Sequence, residues 1–151
     1  MAAKTAYCRL PSELMGDHEE VIRKLSELDT ALESLVCYSE VYADLAGVQQ
    51  AQSMATWLAG HLPEHFTQEE RGVLAEISRL GPEFAAFSRE MKRQHKEIAA
   101  RVEAFRQVAH TFQEARDLQQ SISDLKEAGK ALATFMAAHM GAEEKKYATL
   151  K

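Results

Sequence analysis

The sequence predicts an all-α protein, folded as an antiparallel up-and-down four-helix bundle. Its 151 residues include only three prolines and seven glycines, so few positions interrupt the chain. Long stretches are rich in alanine, leucine, glutamate, glutamine, lysine and methionine, which favour helices, and no stretch has the pattern of a strand. Short connections between long helices make consecutive helices antiparallel neighbours.

Three breaks divide the chain into four predicted helical segments. The clearest break is Leu80-Gly81-Pro82, where a glycine that can end a helix precedes a proline that can begin the next one. Weaker breaks lie at residues 44–47 and 111–121. With residues 1–11 as an N-terminal arm, a single domain over residues 1–151 would contain helices at Ser12–Ala43, Val48–Arg79, Glu83–His110 and Ser121–Thr149.

An apolar stripe with helical spacing runs along each segment, and each stripe contains a histidine. In the first segment, Leu14, Val21 and Leu25 follow one face at steps of three and four residues around His18. The other segments repeat this arrangement, and two of them add a glutamate. The polar residues that the four stripes turn inward are His18, His65, Glu69, His95, His139 and Glu143.

These six inward polar residues indicate a metal site. Burial of an imidazole or a carboxylate without a partner costs several kcal/mol, whereas a domain is stable by only about 5 to 15 kcal/mol. One buried histidine is usually a hydrogen-bonded core residue. Four of them with two glutamates need a shared partner. His65 with Glu69, and His139 with Glu143, are four residues apart and can chelate from one side of a helix.

The heights of the histidines can be compared, because residues at equal height on antiparallel helices lie symmetrically about the connecting turn. The midpoint of His65 and His95 is residue 80, and that of His95 and His139 is residue 117, so both lie in predicted breaks. The midpoint of His18 and His65 lies at residues 41–42, ahead of the break at residues 44–47. We therefore expect an offset first helix or an irregular first loop.

Four imidazoles and two carboxylates offer mixed nitrogen and oxygen ligation. Such a set suits iron or manganese better than calcium, and it leaves copper and zinc open. Two carboxylates among four histidines favour a bridged pair of metals over a single ion. Glu144 lies about 100° round the helix from Glu143 and off the core face, so Glu143 is the preferred ligand.

Four segments of the sequence resemble the successive ligand segments of hemerythrin-like, or HHE, domains. They are DHEEVIRKL around His18, HLPEHFTQEERGVL around His65, MKRQHKEIAARV around His95, and HMGAEEKKY after residue 138. The resemblance covers nearly the whole chain. It implies a non-haem di-iron centre in which the four histidines are terminal ligands, and Glu69 and Glu143 bridge two irons, together with an oxo or hydroxo bridge.

The oxygen carriers of this family have a fifth histidine one turn from the third-helix ligand, whereas Met91 and Ala99 stand at that spacing from His95. The four-histidine set resembles instead members linked to sensing, stress responses and iron handling. The resemblance therefore implies that dioxygen, nitric oxide or peroxide binds at the irons. It leaves open a redox activity toward peroxide or nitric oxide.

The composition argues against several partners. The formal net charge is -5, and the lysines and arginines are scattered among acids, so no surface for nucleic acid is expected. No stretch has the length of a membrane span, and the first residues lack the apolar core of a signal peptide. We expect a cytoplasmic protein that is a monomer or a weak homo-oligomer.

Three other interpretations compete with the di-iron centre. His61 and His65 with Glu64 spell HxxEH, a metalloprotease zinc motif, but Pro63 disturbs the helix that would align them. A ferritin-like di-iron oxidase would carry Glu-x-x-His, and no histidine here has an acid three residues before it. A metal-free helical interaction module remains the simplest alternative.

Overall fold

A computed structural model describes the backbone of residues 2–38, 43–112 and 117–150, and the side chains of residues 16–38, 44–112 and 117–150. Four long helices dominate it. They are α1 (Ala2–Glu33), α2 (Ala46–Arg71), α4 (Pro82–His110) and α5 (Leu118–Ala148), and a short helix α3 (Val73–Ile77) follows α2. Strands β1 (Val36–Cys37) and β2 (Ala43–Asp44) form an antiparallel pair.

The predicted four-helix bundle is confirmed. Each long helix packs on two others, in the cyclic order α1, α2, α4, α5 and back to α1. Residues 2–11, which were expected to belong to an N-terminal arm, have a helical backbone and form the start of α1. Within the described residues, no helix combines the length and the apolar character that crossing a membrane requires.

The first connection differs most from the sequence prediction. The first helix was expected to reach Ala43, but α1 ends at Glu33, and the two-residue strand pair occupies part of the connection. Gly47 explains how α2 begins so close to α1, because a Cβ there would lie 2.2 Å from the carbonyl oxygen of Ala31. The expectation of no strand therefore fails for this short pair, which serves the connection rather than the core.

The connection between α2 and α4 is more structured than the predicted break at residues 80–82. The second helix was expected to reach Arg79, but α2 ends at Arg71, and α3 and a 3-10 turn at Ser78–Leu80 follow. Gly81 then adopts φ 145°, a conformation that disfavours any side chain. Pro82 starts α4 at a position where its missing N–H costs nothing.

The last helix begins at Leu118 rather than at the predicted Ser121. Asp117 caps it, since its side chain accepts a hydrogen bond from the backbone N–H of Gln120 at 3.2 Å. The midpoint at residue 117 thus immediately precedes α5, and the midpoint at residue 80 lies two residues before α4. The midpoint of His18 and His65, residues 41–42, falls between Glu33 and Ala46 but lies outside the described residues.

The core consists of two apolar clusters. The larger cluster fills most of the bundle and includes Leu28, Leu62, Phe66, Ile98 and Met136. The smaller cluster packs α3 against α4 and the end of α5, and its buried members are Val73, Leu74, Ile77, Met91 and Tyr147. Along α2 and the following α3, and along α4 and α5, the polar residues described below lie between members of the two clusters.

Candidate metal centre

All six sequence-predicted residues meet at one buried point between the four long helices. α1 contributes one histidine, α2 a histidine and a glutamate, α4 a histidine, and α5 a histidine and a glutamate. None of the six is more than 3% exposed. The residues that meet are His18, His65, Glu69, His95, His139 and Glu143.

Glu69 lies at the middle of this group. Its Oε1 is 3.3 Å from Nε2 of His18 and also contacts Nε2 of His65, four residues earlier on the same helix. Its Oε2 is 3.5 Å from Nε2 of His95. One carboxylate therefore faces histidines of three helices, which is the position that a bridging ligand needs.

Glu143 faces the same space from α5. Its Oε1 is 2.8 Å from Nε2 of His139 and 3.6 Å from Nε2 of His18, and its Oε2 is 3.9 Å from Nε2 of His95. Its neighbour Glu144 is turned away and is 34% exposed. The choice of Glu143 over Glu144 as the inward carboxylate agrees with this geometry.

Several polar atoms at this point are buried and lack a hydrogen-bond partner. They are Nε2 of His95, Nε2 of His139 and Oε1 of Glu143, so the 2.8 Å approach of His139 to Glu143 is a close contact without hydrogen-bond geometry. Unsatisfied buried groups of this kind are rare in proteins and demand an explanation. Nitrogen and oxygen lone pairs aimed at one small space are the donor set that a metal cation uses, so the residues fit such an ion.

The ligand atoms of the six inward residues form two groups that share one residue. In the first group, His18, His65 and Glu69 offer atoms within 4.8 Å of one another, and in the second group Glu69 joins His95, His139 and Glu143 at the same limit. Each group can hold one cation. Glu69 belongs to both groups, which is the arrangement that a bridged pair of metals requires.

Each of the four histidines turns Nε2 to the centre and Nδ1 outward to a side chain of a neighbouring helix. Three of these outer contacts are hydrogen bonds, and the fourth, from His18 to Glu144, is a looser contact of 3.4 Å. The hydrogen bonds join His65 to Asp17 at 2.5 Å, His95 to Glu70 at 3.1 Å, and His139 to Gln94 at 2.8 Å. Such partners fix the ring orientation and raise the basicity of the inward nitrogen.

These four outer partners form a ring that passes once around the bundle. Each contacts the inward histidine of the next helix: Asp17 on α1 that of α2, Glu70 on α2 that of α4, Gln94 on α4 that of α5, and Glu144 on α5 that of α1. Every one adjoins an inward residue in the sequence. The partner precedes that residue on α1 and α4 and follows it on the antiparallel α2 and α5. Because α2 and α5 run in the opposite direction to α1 and α4, the step forward there and the step back on α1 and α4 turn the partner side chain by about 100° in the same sense around its helix.

His61 contacts this outer ring but not the centre. Its Nε2 lies 3.0 Å from Oδ1 of Asp17, whose other oxygen accepts from His65. The His61 ring also stacks on Trp57, with centroids 4.5 Å apart. In the HxxEH motif, His61 therefore does not join His65 in chelating a common ion, and Glu64 is exposed. This arrangement does not support the metalloprotease interpretation.

Tyr147 contacts both carboxylates of the centre. Its hydroxyl donates to Oε2 of Glu143 at 3.1 Å and lies 3.5 Å from Oε2 of Glu69. Burial and the two carboxylates raise the pKa of this phenol, so it stays protonated and remains a donor. Tyr147 thus holds both carboxylates in one orientation.

The charges of the centre depend on one another. Burial alone would lower the pKa of His95, but Glu143 and Glu69 outweigh it and raise that pKa to about 9. Burial alone would also raise the pKa of Glu69, but its hydrogen bonds, including those with His18 and His65, bring it well below its usual value. The carboxylate charge of Glu69 and a proton on His95 therefore favour one another, and a cation would compete with that proton for the same atoms.

The chain belongs to the hemerythrin family. The family model described as hemerythrin HHE cation binding domain matches residues 9–150, which is almost the whole chain. A comparison with curated proteins and one with solved structures each find no match. The resemblance inferred from the sequence segments is therefore confirmed, and membership of this family indicates a domain that binds metal cations.

Sequence reasoning did not identify the outer ring or the role of Tyr147. Asp17, Glu70 and Gln94 are ordinary polar residues of helical surfaces when only periodicity is considered. One signal was available, because each adjoins a predicted ligand and so lies at the edge of the core face. Tyr147 was assigned to the apolar stripe, and nothing in the spacing indicated that its hydroxyl contacts the carboxylates.

Proposed function

We propose that this protein is a non-haem di-iron protein whose metal ligands are the six inward residues. His18 and His65 would bind one iron, and His95 and His139 the other. Glu69 and Glu143 would bridge them, with an oxo or hydroxo group as a further bridge. The observation that carries the proposal is the set of buried nitrogen and oxygen atoms without hydrogen-bond partners at the meeting point of four helices.

The donor chemistry supports iron. Imidazole and carboxylate together suit iron and manganese, whereas structural zinc sites are commonly closed tetrahedral sets that include thiolate. No cysteine among the described residues lies in either ligand group. The partly anionic outer ring also favours the more highly charged ferric ion, because carboxylate partners increase the electron donation of the histidines.

The proposed role is to bind a small ligand, namely dioxygen, nitric oxide or peroxide, for sensing, stress response or iron handling. Two histidines and three bridging oxygens per iron would leave a coordination position that such a ligand can occupy. Met91 and Ala99 offer no fifth histidine beside His95, and this distinguishes the chain from oxygen carriers in which that ligand is present. The helices contribute by excluding bulk water from a layer enclosed by two apolar clusters.

Metal analysis tests the proposal directly. Protein purified and iron-loaded without oxygen should contain two irons per chain, and its optical spectrum should change on titration with dioxygen or nitric oxide. Protein that stays metal-free under iron-replete conditions would instead support the helical interaction module. Two irons without any response to the small ligands would retain the metal centre and remove the ligand-binding role.

A further inference from the structure

A small cavity lies between α2 and α4, beside the candidate metal centre. Its volume is about 190 Å³. Leu58, Leu62 and Phe66 of α2 line it from one side, and Ala99 and Val102 of α4 from the other. Glu103 is the one charged residue of its lining and is exposed to solvent. The interior of the cavity is therefore apolar.

The cavity exists because two alanines and a proline lie where the two helices pack. Ala59 and Ala99 leave space that longer side chains would fill. Pro63 also lines the cavity, and because it lacks an N–H, it leaves the carbonyl of Ala59 without its helical donor. Pro63 and Ala99 are exposed while Leu62 and Phe66 are buried, so the cavity runs from the surface inward.

The inner wall of the cavity touches the centre. Phe66 is 7% exposed, and its ring stacks on that of His95 with centroids 4.0 Å apart and planes 10° apart. The centroid of the Phe66 ring also lies 6.1 Å from that of His139, with the two planes 77° apart. One aromatic ring thus separates the apolar cavity from two of the inward histidines, both of the second ligand group.

We propose that this cavity binds a small, uncharged, apolar molecule of diatomic size and leads it past Phe66 to the metal centre. An enclosed apolar cavity of about 150 Å³ binds xenon, and the cavity between α2 and α4, which opens to solvent at Pro63 and Ala99, offers such a molecule a similar volume and a similar lining. Hydrogen peroxide is a poorer occupant, because the buried apolar side chains of the inner wall offer its polar hydrogens no partners. The second half of the proposal rests on the proposed function, and it selects dioxygen or nitric oxide over peroxide.

Xenon tests the cavity without any metal. Bound xenon, measured by its own magnetic resonance or in crystals under pressure, should occupy the unaltered protein and saturate. Ala99→Leu fills the cavity from an exposed helical position and should abolish this binding. Ala100→Leu places the same side chain one residue further on, outside the lining, and should leave it intact. Absence of xenon from the unaltered protein, or equal binding in both variants, would overturn the cavity as a binding site.

Nitric oxide tests the route in iron-loaded protein. Ala99→Leu should lower the association rate about tenfold, since a side chain must then move before the ligand passes. Ala100→Leu should match the unaltered protein, and all three should contain the same amount of iron. Equal rates in the three proteins would refute the route while the ligand-binding function stands. If the iron-loaded protein binds no diatomic ligand, the function and the route both fail, and xenon alone decides on the cavity.

Discussion

Asp17 allows the sharpest test of the outer ring, because its two oxygens contact different histidines. Oδ2 lies 2.5 Å from Nδ1 of His65, and Oδ1 lies 3.0 Å from Nε2 of His61. Asp17→Asn keeps an acceptor for His65 but removes the negative charge, whereas Asp17→Ala removes both. Loss of such a partner weakens metal binding by about 10-fold to 100-fold. We expect Asp17→Asn to lower the iron affinity by about tenfold, or about 1.4 kcal/mol, and Asp17→Ala to lower it by about 100-fold.

The assay is an oxygen-free titration of metal-free protein with ferrous iron against a chelator of known affinity. Trp57 provides an independent signal, because it is the only tryptophan and stacks on His61. Its fluorescence should change as iron binds at His65. In Asp17→Ala the link from His65 to His61 is cut, so the fluorescence change should shrink even at saturating iron.

Glu19→Gln is the matched control, since it removes an exposed carboxylate two residues further along the same helix. It should leave the iron affinity and the fluorescence change as they are. Circular dichroism must show that each variant remains folded. An unchanged iron affinity in folded Asp17→Ala would refute the view that the outer ring supports the ligands.

Three other predictions concern the ligands, the pH dependence and the packing. Glu69→Ala should reduce bound iron to one atom or none, whereas Glu144→Ala should retain most of it; stoichiometry near two in the first variant would refute the bridging role. In metal-free protein the raised pKa of His95 contributes stability that is complete below about pH 6.5 and is lost as pH rises through about 9. The apparent affinity for iron should instead increase over that range, because fewer protons compete with the metal. Denaturation and iron titrations at several pH values check both trends. Gly47→Ala should destabilise the protein by about 1 to 3 kcal/mol, because its Cβ would meet a backbone carbonyl at 2.2 Å, and Gly60→Ala, in open space within α2, should be neutral or stabilising in the same melting experiment.

The sequence predicted the long helices well where local signals act. Gly81 and Pro82 mark the start of α4 because they restrict the backbone directly, and the predicted start at Glu83 differs from the observed one by a single residue. The end of α1 was misplaced by ten residues, since no glycine or proline marks Glu33. There the chain leaves the helix to reach α2, whose first turn at Gly47 lies in close contact with α1.

Helical periodicity was sufficient to select the six inward residues, because a side chain on the core face of an amphipathic helix must point toward the other helices. It could not reveal what surrounds them. The outer ring pairs side chains of different helices across 25 to 48 residues of sequence in its three hydrogen bonds, and the apolar cavity depends on which small residues of α2 and α4 meet. Both are set by the rotation and height of one helix against the next, so only the packed tertiary structure decides them.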